Sequence, residues 1–296
     1  MENWRSNPRA FWAFFIPGTF WLVFFFLAPL TIVWIMSFGE QTSLTKTEFT
    51  GTLQQYVRAL GDPVYLKVIW KSVWISALAT AICLAVAYPV AFLISFVRGR
   101  LKLILLVAII LPFWINLLIR TYALLVVFRR KGLVNGGLEW SYNLLQLDHL
   151  FGKFQPFDLL YNNFAVGAGL VYVFMPFMVL PLYASIERLD RSMLEASLDL
   201  GASQWQTFWK ITVPQTMPGI VSGIILVFIP MLGSFLIPDL MGGTNAQMIG
   251  NVIERQFKAA NDYAFGAALS FILMYVTFAA LALRAFFAGR KSGMEL

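Results

Sequence analysis

Charge is what this chain has least of. Asp, Glu, Lys and Arg make up 12% of its 296 residues, against about 25% in ordinary globular chains. A soluble fold of this length would need about twice as many to cover its surface, which excludes a soluble enzyme and a disordered tail. A single cysteine, Cys83, cannot form an intrachain disulfide, so a disulfide-stapled secreted domain is excluded too. Cys83 lies inside an apolar run and reads as a small buried hydrophobe. One histidine, His149, with no Cys/His pairing leaves no metal-site signature. No G-x-x-x-x-G-K-[ST] loop is present, so nucleotide hydrolysis does not reside in this chain. Internal repeats and low-complexity tracts are missing as well.

What the chain does have is apolar length, with 59% of its residues hydrophobic. A bilayer core of about 30 Å needs roughly 20 apolar residues in a helix. Six stretches reach that length, within Ala10–Phe38, Ser72–Val97, Leu103–Phe128, Phe164–Ile186, Pro218–Pro238 and Tyr263–Leu283. Arg120 is the one charge inside them. The expected fold class is therefore all-α, a polytopic membrane protein of six transmembrane helices, with 1–296 as a single transmembrane domain. Arg5 and Arg9 precede the first run as in a signal peptide, but the run far exceeds an h-region of about 7–15 residues, so it is taken as the first helix.

An even helix count puts both termini on one side. The net charge of +7 comes from clusters beside apolar runs, where membrane topology places them, so no nucleic-acid partner is expected. Arg98, Arg100 and Lys102 in a short loop, with Arg290 and Lys291 after the last helix, argue for cytoplasmic termini. Arg129, Arg130 and Lys131 argue against it. On that orientation Gly39–Lys71, Arg129–Asn163 and Asp239–Asp262 lie outside, and Glu187 to Gln215 forms a long inner segment. Pro17, Pro29, Pro89, Pro112, Pro176, Pro181 and Pro230 interrupt backbone ladders, as membrane helices tolerate. Gly219 and Gly223 form a small-xxx-small pair suited to close helix packing.

The inner segment is solvated, with Glu187, Arg188, Asp190, Arg191, Glu195, Asp199 and Lys210, yet its apolar residues recur at helical spacing. Leu194, Leu198 and the pair Ala196 and Leu200 give one stripe. Gly201 can end that helix at positive φ, and Ser203 can cap a second one carrying Trp205, Phe208, Trp209 and Ile211. Pro214 is expected to stop it before the next span. An amphipathic hairpin of this kind suits docking into a groove on a partner; packing on its own membrane domain or lying in the lipid interface would use the same pattern.

Glu195-Ala196-Ser197, three residues, Gly201, nine residues, then Ile211-x-Val213-Pro214 resembles the EAA loop of permease subunits in bacterial ATP-binding-cassette importers. Ser197 stands where that loop has a second Ala, and Val213 where it has Leu. Leu111-Pro112-Phe113-Trp114 with Ile119-Arg120-Thr121-Tyr122 is similar to the spermidine/putrescine-type members. So are Met175–Tyr183, Pro238-Asp239-Leu240-Met241-Gly242-Gly243 and Ile249-Gly250-Asn251-Val252-Ile253. The resemblance implies a bacterial cytoplasmic-membrane location, with the loop on the cytoplasmic side. Glu195, Ala196, Ser197, Gly201, Trp205, Ile211 and Pro214 would then serve for coupling to an ATPase. It implies as partners a second permease subunit, two ATP-binding subunits that bind ATP and Mg, an extracytoplasmic solute-binding protein and membrane lipid. The chain itself would hold no cofactor or metal and would not be an enzyme.

The cargo implied is a small polar solute, a polyamine first. A polycation calls for carboxylates and aromatic faces, which nominates Asp239 with Phe235 and Leu236 one turn before it. Leu236 stands where some relatives carry an aromatic. Arg120 points toward an anionic group such as that of an amino-acid derivative or opine-like acid, with Asn116 one turn before it on the expected shared face. Counted at ~1.5 Å per residue from Leu103, Arg120 lies ~25 Å along an unbroken helix, where snorkelling to the outer interface would also satisfy it. Two rival classes leave no such marks. An intramembrane lipid-modifying enzyme needs polar catalytic groups at one depth, and an ion-coupled carrier needs repeats and intramembrane acids.

Overall fold

The computed structural model describes residues 8–43, 46–146, 152–244 and 246–292; Arg5 and His149 lie outside them. The helices are α1 (Pro8–Leu22), α2 (Ala28–Met36), α3 (Gln54–Gly61), α4 (Pro63–Phe96), α5 (Arg100–Ile110), α6 (Leu117–Phe128), α7 (Leu133–Leu144) and α8 (Asn163–Glu187). They continue with α9 (Arg191–Asp199), α10 (Gln204–Thr207), α11 (Val213–Gln215), α12 (Met217–Leu232), α13 (Leu236–Met241), α14 (Ile249–Lys258) and α15 (Tyr263–Ser292). A short antiparallel pair, β1 (Gly39–Ser43) and β2 (Lys46–Phe49), falls in the first expected outer loop.

All six apolar runs fold as helix, but not as six uninterrupted spans. Among the described residues, three spans are long and apolar enough to cross a membrane unbroken: Phe11–Met36, Pro63–Phe96 and Asn163–Glu187. Two others are broken pairs, Arg100–Trp114 with Leu117–Leu144, bent by 98°, and Gln204–Gln215 with Met217–Leu232, bent by 66°. In the last, Tyr263–Ala279 is the shorter apolar part of α15.

Of the seven prolines named above, only Pro112 marks a break. It sits in a 3-10 turn, Leu111–Trp114, followed by Ile115 in extended conformation. Pro17, Pro89, Pro176, Pro181 and Pro230 remain inside helices. Pro29 and Pro214 share a different device. Each lies two residues beyond a π-helical turn, Val23–Leu27 and Phe208–Thr212 respectively. A proline ring clashes with the carbonyl four residues back, and the wider turn moves that carbonyl aside. Pro214 therefore lies in the last turn of its helix, which ends one residue later at Gln215 and turns at Thr216 before α12.

The chain divides into two compact units, Met1–Leu66 with Val252–Leu296, and Lys67–Asn251. In the first, Arg58 pairs with Asp262 at 3.0 Å and lies over the buried Phe265 ring. Asp262 also accepts from the Phe265 amide, holding the start of α15, and Trp34 donates to the Tyr275 hydroxyl. No residue of Phe11–Met36 is buried, so its row of Phe and Trp side chains faces outward.

The second unit is built on α8 against α12. A Cβ at Gly219 would stand 2.4 Å from that of Ser185, and one at Gly223 would stand 2.7 Å from the Met178 sulfur. The two glycines thus allow the close packing their spacing suggests. Around this seam Leu170, Met178, Leu182, Val227 and Met231 are fully buried, with Ala79, Cys83, Ala87 and Ala91 of α4. Cys83 is the small buried hydrophobe expected of it.

Candidate functional site

The hairpin between α8 and α12 forms as its sequence suggests. Asp190 caps α9 by accepting from the Ser192 amide at 3.0 Å. Gly201 ends it at φ +84°, while the amide of Ala202 bonds the Ser197 carbonyl and that of Gly201 the Leu198 carbonyl. Those two bonds satisfy the orphan carbonyls of the last turn. Ser203 then opens α10 with a reciprocal box: the Gln206 amide donates to Ser203 Oγ, and the Ser203 amide to Gln206 Oε1.

The base of the hairpin is anchored. Lys102 pairs with Glu187 at 2.5 Å, and Arg191 donates to the Ser95 carbonyl while stacking over Phe96. Its tip is uncovered. Leu200 is 89% exposed, Trp205 69% and Trp209 53%, and Leu198 is exposed beside them. Glu195 and Ala196 share the outer side, Ser197 is buried, Ile211 is half-buried and Pro214 exposed. The apolar stripe is thus not consumed within the chain, which argues against a loop packed only on its own domain. A cluster of Trp205, Phe208 and Trp209, with ring centres 5.3 to 6.0 Å apart, stiffens this surface.

The path candidates sit in two places. Phe235 and Asp239 are exposed at either end of the first turn of α13, while Leu236 is half-buried. This turn is held from α14. Asn251, 1% exposed, donates to the Phe235 carbonyl at 2.7 Å, and at Gly250 a Cβ would come within 2.6 Å of the Ser234 carbonyl oxygen. Sequence reading used Gly250 and Asn251 only within the stretch Ile249–Ile253 that resembles spermidine/putrescine-type permeases, and gave them no role at the site.

Arg120 and Asn116 differ in exposure, although the Arg120 amide bonds the Asn116 carbonyl one turn back at 3.1 Å. Asn116 is exposed and caps α6, its side chain accepting from the Leu118 amide at 2.8 Å. Arg120 is 7% exposed, and its buried Nε has no hydrogen-bond partner. The bend before α6 invalidates the count along an unbroken helix, so the side chain is enclosed rather than snorkelled. Among the described residues no carboxylate pairs with it, and no group of three His, Cys, Asp or Glu side chains gathers as a metal site.

Residues 87–292 match the family described as binding-protein-dependent transport system inner membrane component. The chain belongs to that family. The spermidine/putrescine transport system permease protein PotB of Salmonella typhi is 42% identical to it over 256 residues, 86% of each chain. In fold the chain is similar to a bacterial ABC transporter involved in import of the acidic polysaccharide alginate. The TM-score is 0.71 at 17% identity, covering 97% of this chain and 98% of that one. A second structure, of the bacterial alginate ABC transporter in complex with an alginate pentasaccharide-bound periplasmic protein, gives 0.69 at 18% identity and 96% of each chain. These place it as a multi-pass membrane protein with an importer-permease fold.

Proposed function

We propose that this chain is the permease subunit of an ATP-binding-cassette importer that carries a polyamine of the spermidine/putrescine class into the cytoplasm. The observation that carries this reading is the hairpin: a base anchored by Lys102–Glu187 and Arg191–Ser95, and an uncovered apolar tip at Leu200, Trp205 and Trp209. A rigid foot with a bare apolar sole suits a groove on a separate motor. Two ATP-binding subunits holding ATP and Mg would supply it, since this chain has no phosphate-binding loop.

On this reading the whole chain acts as one permease domain in the bacterial inner membrane, with hairpin and termini cytoplasmic. It pairs with a second permease subunit, and an external solute-binding protein delivers cargo to the opposite face. Closure of the ATP-binding pair pushes the hairpin and switches the path from inward- to outward-facing. The two states must differ in their contacts with the ATPases, because a ligand shifts an equilibrium only by its differential affinity. Asp239 supplies charge and Phe235 an aromatic face to a polycation.

One observation favours a second cargo class. The enclosed Arg120, with its unpartnered Nε, would welcome a carboxylate, as of an amino-acid derivative or opine-like acid. The test is reconstitution with the cognate binding protein and labelled spermidine, putrescine or an opine-like acid. Polyamine-dependent uptake and copurification with an ATPase support the reading. Uptake of the acid alone moves the cargo assignment, and recovery without any ATPase overturns the importer.

A further inference from the structure

A line of buried hydroxyls runs from the hairpin to the membrane helix α4. Ser197, Thr207, Thr212, Thr216 and Tyr88 are each less than 10% exposed, at 7, 7, 2, 0 and 8%. Ser197 Oγ and Thr207 Oγ1 are 2.8 Å apart, as are Thr216 Oγ1 and the Tyr88 hydroxyl. Between them Thr212 Oγ1 reaches the Thr207 carbonyl at 3.5 Å, and Thr216 Oγ1 reaches the Thr212 carbonyl at 2.8 Å.

Each hydroxyl has one proton, which fixes the direction of the bonds. Ser197 Oγ gives its proton to the Leu194 carbonyl at 2.8 Å, so Thr207 donates to Ser197. Thr216 gives its proton to the Thr212 carbonyl, so Tyr88 must donate to Thr216. The Tyr88 ring also meets Phe208 edge-on, with centroids 5.4 Å apart.

The two ends of the Tyr88–Thr216 bond are both mechanically special. Thr216 stands at the 66° corner where the hairpin's last turn meets α12. Tyr88 precedes Pro89, where α4 lacks one rung of its ladder. We infer that the Tyr88–Thr216 hydrogen bond is the linkage through which movement of the hairpin is passed to α4. Tyr88 and Thr216 are thus positioning residues for transport, not contacts for cargo or nucleotide. This rests on the importer reading above and adds to it the route inside the permease.

The experiment uses the assembled transporter in proteoliposomes, with loaded binding protein and labelled spermidine as probe. Uptake and ATP hydrolysis are measured per assembled complex for wild type, Tyr88→Phe, Thr216→Val, Thr216→Ser and the double variant Tyr88→Phe/Thr216→Val. Tyr88→Phe and Thr216→Val should each lower uptake per ATP by about fivefold, in the range of coupling changes of this kind. The double variant should be no worse than either single one, and Thr216→Ser, which keeps the hydroxyl, should match wild type. A merely structural role would lower uptake and hydrolysis together and leave their ratio unchanged; that result overturns the linkage. A coupled wild type with an equally coupled Tyr88→Phe also overturns the linkage and leaves the importer standing. Wild-type hydrolysis that ignores the loaded binding protein overturns both.

Discussion

Asn251 and Phe235 are joined by a 2.7 Å hydrogen bond from side-chain amide to main-chain carbonyl, across sixteen positions of sequence. The same carbonyl accepts the Asp239 amide at 3.0 Å, while Asn251 Oδ1 accepts from the Met248 amide at 3.2 Å. One buried side chain therefore fixes both the break before α13 and the loop before α14. Replacing Asn251 by Ala leaves the amide of the buried Met248 without its acceptor, which costs about 1–3 kcal/mol. The expected outcome is a lower unfolding midpoint in detergent together with reduced uptake. A midpoint equal to wild type would show that the bond does not hold this turn.

Gly201 tests the hairpin without disturbing its packing. An added Cβ has nothing within 4 Å, so the obstacle is φ +84° alone. Gly201→Ala should cost about 1–2 kcal/mol locally, and Gly201→Asn less, because Asn tolerates the left-handed region. Gly201→Ala and Glu195→Ala should both reach the membrane yet transport poorly and copurify less ATPase. Normal uptake in both variants would count against the proposed coupling.

Gly219 should behave in the opposite way. Its Cβ would overlap Ser185 at 2.4 Å and the Pro181 carbonyl oxygen at 2.8 Å, whereas a Cβ at Gly167 meets nothing within 4 Å. Gly219→Ala forces α8 and α12 apart, an overpacking cost of about 1–3 kcal/mol. Gly167→Ala should be neutral. Thermal midpoints of the two purified variants, measured side by side, decide this.

For Arg120 the sign of the effect is informative. Removing a buried charge that has no partner relieves a desolvation cost. Arg120→Met should leave the isolated subunit as stable as wild type or more so, yet lower uptake by the assembled importer. A loss of stability in the isolated subunit would mean that the guanidinium is already satisfied within the chain.

The elements legible in the sequence were those decided locally. Gly201, the Ser203 cap and the Gly219/Gly223 pair each depend on a few adjacent residues or one helical repeat, and each does what its residue type dictates. The all-α membrane class was equally legible, because apolar length and missing charge are summed properties. The bend at Leu111–Asn116 was not, since Leu103–Phe128 reads as one apolar run apart from Arg120. The two π turns leave no hydropathy signal beyond a proline two residues later. The role of Asn251 was hidden for another reason: its partner lies sixteen residues back, so the stretch Ile249–Ile253 gave a resemblance but no contact. The depth of Arg120 was counted along a helix that the backbone abandons between it and Leu103.

That abandoned helix has a consequence for the lone polypeptide. Ile115 and Asn116 are both extended, so the peptide group between them leaves the helical ladder, while Phe113, Trp114 and Ile115 are uncovered. Hydrocarbon offers such groups nothing to bond with, and each one stranded there costs several kcal/mol. This kink cannot rest against acyl chains; it must look onto water or onto another polypeptide. On the importer reading proposed above, assembly around an aqueous passage would give that peptide group the partners a solitary copy in a bilayer lacks.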